Sequence, residues 1–518
     1  MALNATQFQS WLEDQSAIRC LLVVAQYYDG STEQTVYYSN KNYVSDTTGK
    51  SGEIPANTFF NPIITVGLEY TENINLDGSA SISFGDLSID NTQGTNDSLL
   101  NYVWANRPIK VYIGDPLKHS TDDFTKIYSG YVSDIGSKDY NSINLRIRDA
   151  MQRFNTPISE TTLGSLSNTL ASTIIPGYNY SFSTSKDKDV LLPLIFGEVF
   201  NITPLLIDPT NLVYMVSNSA IESIIEVRDN GVPLVEGTNY TVDLTRGILS
   251  FNYMPAGNIT CSVQGIKIAG SYSNNIPNTI KYILKTYGTA PAVDADLDLA
   301  TFSTYASSDT QPFGIYLDNK ANILEVCQQL ASSIGMQLVS TRTGIFTLVR
   351  LTIPTLGATN INDDDILENT LSIQDKLEVI AGIKLGYAKN WTVQEALDTG
   401  IPPEHKADLA AEWYVSKQSD SSVKTIYKLS TEPEQIDTLL ISNSSSQVDT
   451  EATRRLNLRK VPRFTYSMEC TPKAITLQLG QMITLQYYRF GMSSGVAAQV
   501  ISISTNWDSG ITQVGVFV

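Results

Sequence analysis

"LQLGQMITLQYYRFGMSSGVAAQVISIS", residues 477–504, decides how this chain is read. Apolar and polar residues alternate on both sides of "FGMSSG" (490–495), and a period of two sends successive side chains to opposite faces of a strand. The stretch is predicted to be a hairpin turning through 490–495. Lying close to the end of a 518-residue chain, it needs a late β domain to complete, because an isolated hairpin is only marginally stable.

Outward from that hairpin the chain keeps the same texture. "DTEATRRLNLRK" (449–460) reads as a short helix and "KLEVIAGIKLGYAKNW" (376–391) as strand, with a polar insertion at 392–450 carrying Pro402 and Pro403. Before it, "MQLVSTRTGIFTLVRL" (336–351) reads as a hairpin turning at Arg342–Gly344. Two helices are predicted ahead of that hairpin. One spans 276–287, with Ile280, Ile283, Leu284 and Tyr287 on one stripe, Pro277 near its start and Gly288 past its end. The other spans 319–334, capped by Asp318 and stopped by Gly335, with Ile323, Val326, Cys327, Leu330 and Ile334 at helical spacing. Together these make an α+β domain, 271–365.

Residues 191–270 supply short strands separated by Asn230-Gly231, Arg246-Gly247 and Ala256-Gly257, a small β domain. The Ser/Thr-rich segment 161–190 lacks periodicity and reads as a linker or wrapping loop. Residues 1–160 open with a short helix bearing Phe8, Trp11 and Leu12, then a hairpin within "CLLVVAQYYDGSTEQTVYYSNKNYV" (20–44). Next come a strand with Ile64, Val66 and Leu68 inward, a turn at Asp77-Gly78, and a strand with Ile82, Phe84 and Leu87 inward. Three more strands end at 141–154, where Ile143, Leu145 and Ile147 face in and Arg146 and Arg148 face out. This first domain is expected to be a meander-like β-barrel, and the chain as a whole to be mainly β with a smaller α+β part.

Composition supports several domains and narrows the function. The length exceeds one ordinary core, so three or four domains are expected. Hydrophobic residues make up 42% and charged residues 17%, and 27 tyrosines favour strands. The 53 acidic residues outnumber 35 basic ones, giving a net charge of -18 that repels phosphate backbones. Sequence-specific DNA binding is not expected. No signal-like opening and no apolar stretch of spanning length are present, so no membrane insertion by this chain is expected. The Asn-x-Ser/Thr triplets at Asn201, Asn239 and Asn258 are read as compositional rather than as glycosylation sites.

Chemistry-bearing motifs are sparse. Gly49-Lys50-Ser51 matches the tail of a phosphate loop, but Val44 stands where its first glycine belongs, and Gly52 and Pro55 follow where a helix must start. Asp294, Asp296 and Asp298, like Asp363–Asp365, do not follow the calcium-loop spacing and read as loop or helix-cap carboxylates. His119 and His405 are the only histidines, beside charged residues in polar loops, and 53 acids offer no singled-out catalytic pair. Cys20, Cys261, Cys327 and Cys470 are spaced as buried free thiols. Trp104, Trp391, Trp413 and Trp507 are scattered and read as packing residues. No catalytic residue, metal or cofactor is assigned, and the chain is not expected to be an enzyme.

The order of the segments resembles the central tail-hub or baseplate-hub proteins of tailed bacteriophages. The segments are "IYSGYVSDIGS" (127–137), "INLRIRDA" (143–150), "PLIFGEV" (193–199), "VRDNGVPL" (227–234), "ANILEVCQQLASSIGMQLVSTRTGIFTLVRL" (321–351), "RRLNLRKVPRFTYSMECTP" (454–472) and "LQLGQMITLQYYRFG" (477–491). The 159–187 linker and the 392–450 insertion depart from that pattern. The resemblance implies two tube-like antiparallel β-barrel domains, 1–160 and 366–518, joined by the small β and α+β domains. It implies a homotrimer at the distal end of the tail, with six quasi-equivalent modules in a ring. The expected neighbours are a tail-tube or distal-tail protein and tail-tip, spike or fibre proteins, with phage DNA as passing cargo. Arg454, Arg455, Arg459 and Arg463 are taken as the inter-subunit contact, since guanidinium forks bind carboxylates across interfaces. Alternatives are a distal-tail ring or fibre-adaptor role, or a glycan-binding or glycan-degrading receptor-recognition protein.

Overall fold

The computed structural model describes all residues except 1–3, 15, 76–82, 167–188, 396, 398, 431 and 442–444. The expected Asp77-Gly78 turn, Ile82 and most of the 161–190 linker therefore lie outside the described residues. Helix α1 (Ala5–Glu13) starts at Asn4, whose side chain accepts the Gln7 N–H at 2.9 Å, and buries Trp11 and Leu12. The predicted hairpin follows as β1 (Cys20–Tyr28) and β2 (Glu33–Ser39), where the Asp29 carboxylate collects the N–H groups of Ser31 and Thr32 in the turn. Then come β3 (Ile64–Asn73), β4 (Phe84–Asp90), β5 (Pro108–Gly114), β6 (Thr125–Asp139) and β7 (Ser142–Arg148). Ile143, Leu145 and Ile147 are fully buried and Arg146 is exposed, as the alternation requires. Each such side chain stabilises the fold by about 1.5–3 kcal/mol.

Two inward assignments are corrected. Val66 is exposed because β-bulges on both sides of it shift the alternation between Ile64 and Leu68. Phe84 is exposed because a strict period of two cannot put residues 84 and 87 on one face; Leu87 takes the core and Arg148 covers the Phe84 ring at 5.3 Å.

The middle of the chain forms a second sheet from β8 (Leu194–Ile202), β9 (Ile221–Asp229), β10 (Ile259–Ile268) and β11 (Gly314–Leu317), with β9, β10, β8 and β11 adjacent in that order. Asn230 and Gly231 both take positive φ, 49° and 82°, which suits the two-residue turn joining Asp229 to Val232. Helices α2 (Ile276–Thr286), α3 (Leu299–Ser308) and α4 (Ile323–Ser333) and the hairpin β12 (Met336–Ser340) and β13 (Phe346–Arg350) build the α+β part. The cap of α4 is Asn322, not Asp318: its side chain accepts the Leu324 N–H at 2.9 Å, so the helix begins later than expected. Helix α3 was not foreseen.

The last part contributes β14 (Ser372–Leu377), β15 (Gly382–Tyr387), β16 (Tyr414–Ser419), β17 (Gln435–Asp437), α5 (Ser445–Arg459), β18 (Arg463–Cys470), β19 (Met482–Leu485), β20 (Val496–Asn506) and β21 (Thr512–Phe517). The stretch 376–391 is two strands rather than one. It breaks at 378–381, and β14 and β15 join different sheets. The hairpin read from 477–504 is present as β19 paired with β20, Met482 opposite Gln499.

Strand order shows how the ends of the chain meet. One 13-stranded sheet runs β2-β1-β5-β6-β7-β4-β3-β20-β21-β18-β14, with β19 beside β20 and strand Thr359–Ile361 beside β19. The N-terminal strands are local hairpins stitched together by β1–β5 and β4–β7 pairing, not a sequential meander. The run does not turn back on itself after β3 but continues into β20, with Asn73 opposite Ser502 and Glu69 opposite Asn506. Separate cores lie beneath the two halves of this sheet. A third, the largest, joins Ala150–Ile158, helices α2–α4, Ile383, Leu385 and α5. The fold is therefore mainly β and built from several antiparallel sheets with helices packed among them.

Candidate functional site

The four arginines chosen from the sequence divide into two pairs. Glu451 on α5 is buried, and Arg454 Nε and Nη2 donate to its carboxylate at 2.7 and 2.8 Å while Arg455 Nε donates at 2.6 Å. Burial opposes ionisation of Glu451, but the two guanidiniums outweigh it and hold the carboxyl below its usual value. Arg455 Nη2 also donates to the carbonyls of Ser332 and Ser333 at 2.7 and 3.0 Å, serving the end of α4 where carbonyls lack helical partners. Gly335 follows with φ of 66°, and a Cβ there would collide with Arg454 Nη2. Arg454 and Arg455 thus make their contacts inside the chain, clamping α5 to α4.

Arg459 and Arg463 lie elsewhere, beside the outermost strand of the large sheet. Arg459 Nη2 donates to the Glu378 carbonyl at 3.3 Å, just beyond β14. Arg463 is the residue of β18 opposite Leu377, donates to the Leu458 carbonyl at 2.9 Å and covers the Phe517 ring at 5.7 Å. Strand β14 is exposed at every residue from Ser372 to Lys376 and pairs on one side only, with β18.

The large sheet has a polar face that crosses from one half to the other. Reading across paired residues, Asp134, Arg146, Asp86 and Glu69 lead through Asn506 to Ser504, Gln513 and Glu469. Thr71 and Ser504 are linked by a 2.8 Å hydrogen bond across the β3–β20 junction, and Asn506 donates to Glu69 at 3.0 Å. Four carboxylates against one arginine on this path leave the face acidic.

A buried acidic seam lies on the other face. Glu72 of β3 accepts the Arg342 N–H at 2.7 Å, and Ser129 of β6 donates to the Arg342 carbonyl at 2.8 Å, seating the β12–β13 loop against the N-terminal half. Asp149 accepts the N–H groups of Ser83 and Met151, each at 3.0 Å. Burial pushes Asp149 up to about 7 despite those hydrogen bonds, with Glu72 adding repulsion. Glu72 is raised too, mainly by burial, against the pull of Arg342. Sequence alone offered no sign of this pair, because an acid at a strand end reads as an ordinary cap.

The other motifs resolve into structural contacts. Lys50 turns back on Ile54 in a β-bridge and its Nζ donates to the Asp122 carbonyl at 2.8 Å, with no helix following. Asp294 pairs with Lys285, Asp296 with Arg153 and Asp365 with Lys473, while Asp298 caps α3. Among the described residues no group of three or more His, Cys, Asp or Glu is placed to hold a metal. His119 Nδ1 accepts the Asp115 N–H at 3.0 Å and its ring packs 5.2 Å from Trp11; His405 is exposed on helix Pro403–Ala410. All four cysteines are buried and unpaired. Trp391 and Trp413, read as scattered, converge on Lys389, whose Nζ is 4.5 and 5.2 Å from their rings. No helix among the described residues is long and apolar enough to cross a membrane.

No family model matches the chain and no curated protein matches it. Among solved structures, it is similar to the 43 kDa tail protein of prophage MuSo2 from Shewanella oneidensis, at 10% identity and a TM-score of 0.40 over 96% of this chain and 98% of that one. It is also similar to the tail protein from Neisseria meningitidis MC58, at 8% identity and 0.36 over 96% of each chain. Prophage tail protein gp18 from Listeria monocytogenes EGD-e follows at 8% and 0.34, over 96% and 94%. Overlap at this level assigns no role to any residue here.

Proposed function

We propose that this chain is a structural protein of a bacteriophage tail, the hub that joins the tail tube to the tip and lines the DNA passage. The observation that carries the reading is the β3–β20 junction. It sets an N-terminal and a C-terminal β module side by side in one sheet, so each chain presents two modules rather than one. Three such chains supply the six modules of the ring implied by the segment order of the sequence. The acidic face running through Asp134, Asp86, Glu69 and Glu469 suits the wall of a passage, since carboxylates repel phosphates and leave DNA free to move.

Chemistry plays no part in this mechanism. The shared sheet transmits position, and its outer loops hold a tube or distal-tail protein on one side and spike, tip or fibre proteins on the other. In this reading Arg459 and Arg463 meet a neighbouring subunit, supported by their position beside an exposed strand, whereas Arg454 and Arg455 already satisfy Glu451. Gold labelling of an epitope-tagged chain in purified tails tests the assignment. Label confined to the distal end supports it; label along the tube, on the fibres alone or absent from particles overturns it.

A further inference from the structure

We propose that copies of this chain join head to tail by strand pairing, with the open edge of β14 in one copy adding to the outer half of β6 in the next. The proposal rests on the ring reading above and supplies its junction.

Among the described residues the outer sides of β2, β14, strand Thr359–Ile361 and the far half of β6 carry no further strand, and strand direction selects between possible unions. β6 is long, and its pairing with β5 ends at Tyr131, opposite Pro108. From Ser133 to Asp139 it is held by β7 alone, leaving that side without a strand. β14 is the other end of the run β6-β7-β4-β3-β20-β21-β18-β14, and every pairing along that run is antiparallel. Seven reversals leave β6 and β14 pointing in opposite directions, so a copy added at β14 presents its β6 antiparallel and the alternation continues. Joining β14 to β2, the opposite end of the full sheet, would instead need a parallel pair after an unbroken antiparallel series.

Length and charge agree with this choice. The free half of β6, Ser133–Asp139, and the free edge of β14, Ser372–Leu377, match to within a residue. In sequence, residues 133–139 carry two acids and one base; β14 carries one of each, Asp375 and Lys376, with Arg459 and Arg463 on the neighbouring α5 and β18 and Glu378 just past its end. Bulges in β6 between Val132 and Asp134 and between Gly136 and Asp139 bend the free edge, which discourages indiscriminate pairing while no partner is present. Because the two edges differ, the contact is head to tail, which closes into a ring when the rotation permits.

Disulfide trapping tests this directly, because cross-strand cysteines bridge only when their Cα atoms lie within about 7 Å. The native thiols are buried and stay silent. Single cysteines are placed at Asp134 or Gly136 in one chain and at Gln374 or Lys376 in a co-expressed second chain, and the products are run without reductant. The expected result is a dimer band when a β6 variant meets a β14 variant, none with either alone, and a ladder ending at three chains when one chain carries both, for example Gly136→Cys with Gln374→Cys. Self-linking of a single variant, or linking of Gln374→Cys to Thr35→Cys on β2, overturns the proposal. Rings seen by light scattering without any of the expected links also overturn it while leaving the ring reading intact. Monomers without links overturn both.

Discussion

At the scale of single residues, the chain is held by a few buried charges whose partners are all internal. Glu451 is the clearest, since Arg454 and Arg455 depend on it and Arg455 in turn serves the end of α4. Glu451→Ala is expected to cost about 3–5 kcal/mol, the range for leaving one side of a buried ion pair uncompensated. Urea unfolding followed by circular dichroism measures it. Asp149 makes the opposite kind of prediction. Its carboxyl ionises near the ordinary value of 3.8 in the unfolded chain but only at about 7 in the folded one, so the folded state binds more protons between those values. Stability should therefore fall as pH rises through that window and level off above it. Asp149→Asn, which keeps an acceptor for Ser83 and Met151, should flatten the fall, leaving the smaller share of Glu72, which has the same sign; thermal melts from pH 4 to 8 check both. The arginines were legible as a cluster, but Glu451 was not legible as their internal partner, because burial depends on α4, more than a hundred residues earlier. Phe84 shows the same limit: a ring in a strand reads as core until its parity with Leu87 is counted.

At the scale of elements, period and caps carried most of the information that could be read locally. The β19–β20 hairpin, β12–β13 with its turn, and α2 with Pro277 near its start and Gly288 past its end all sit where their patterns place them, and the cap of α2, Asn275, is added by the structure. Helix α3 escaped because "LATFSTYASS" is rich in Ser and Thr and buries only Phe302, although Asp298, which reads as a loop or helix-cap carboxylate, does cap it. Segment 376–391 escaped because Val379–Ala381 continue the apolar texture across a corner between two sheets. Packing between elements is also made by single polar groups that no pattern announces. Gln499 of β20 accepts the Thr352 N–H at 3.0 Å and donates to the carbonyls of Arg350 and Gly480 at 2.9 and 3.1 Å, fastening the end of β13 to the closing hairpin. Gln499→Leu leaves those half-buried groups without their partner, and a loss of about 1–3 kcal/mol is expected. Hydrogen exchange should quicken at Thr352 and leave β1–β2 unchanged.

At the scale of the whole molecule, the decisive contact joins residues more than four hundred positions apart. Each half of the sheet was visible as β from its own alternation, but β3 and β20 carry the same Thr/Ser-rich outward faces as any solvent-facing strand, so nothing local says that they pair. That pairing puts two β modules into one sheet with an acidic face and unlike ends, the features on which the proposed assembly is built. The measurement that tests this most directly is the mass of the purified chain by light scattering behind size exclusion, with negative-stain images of the same peak. Three copies around a central hole, with six modules in projection, are predicted. A compact monomer at all concentrations, or a ring of six whole chains, would contradict it.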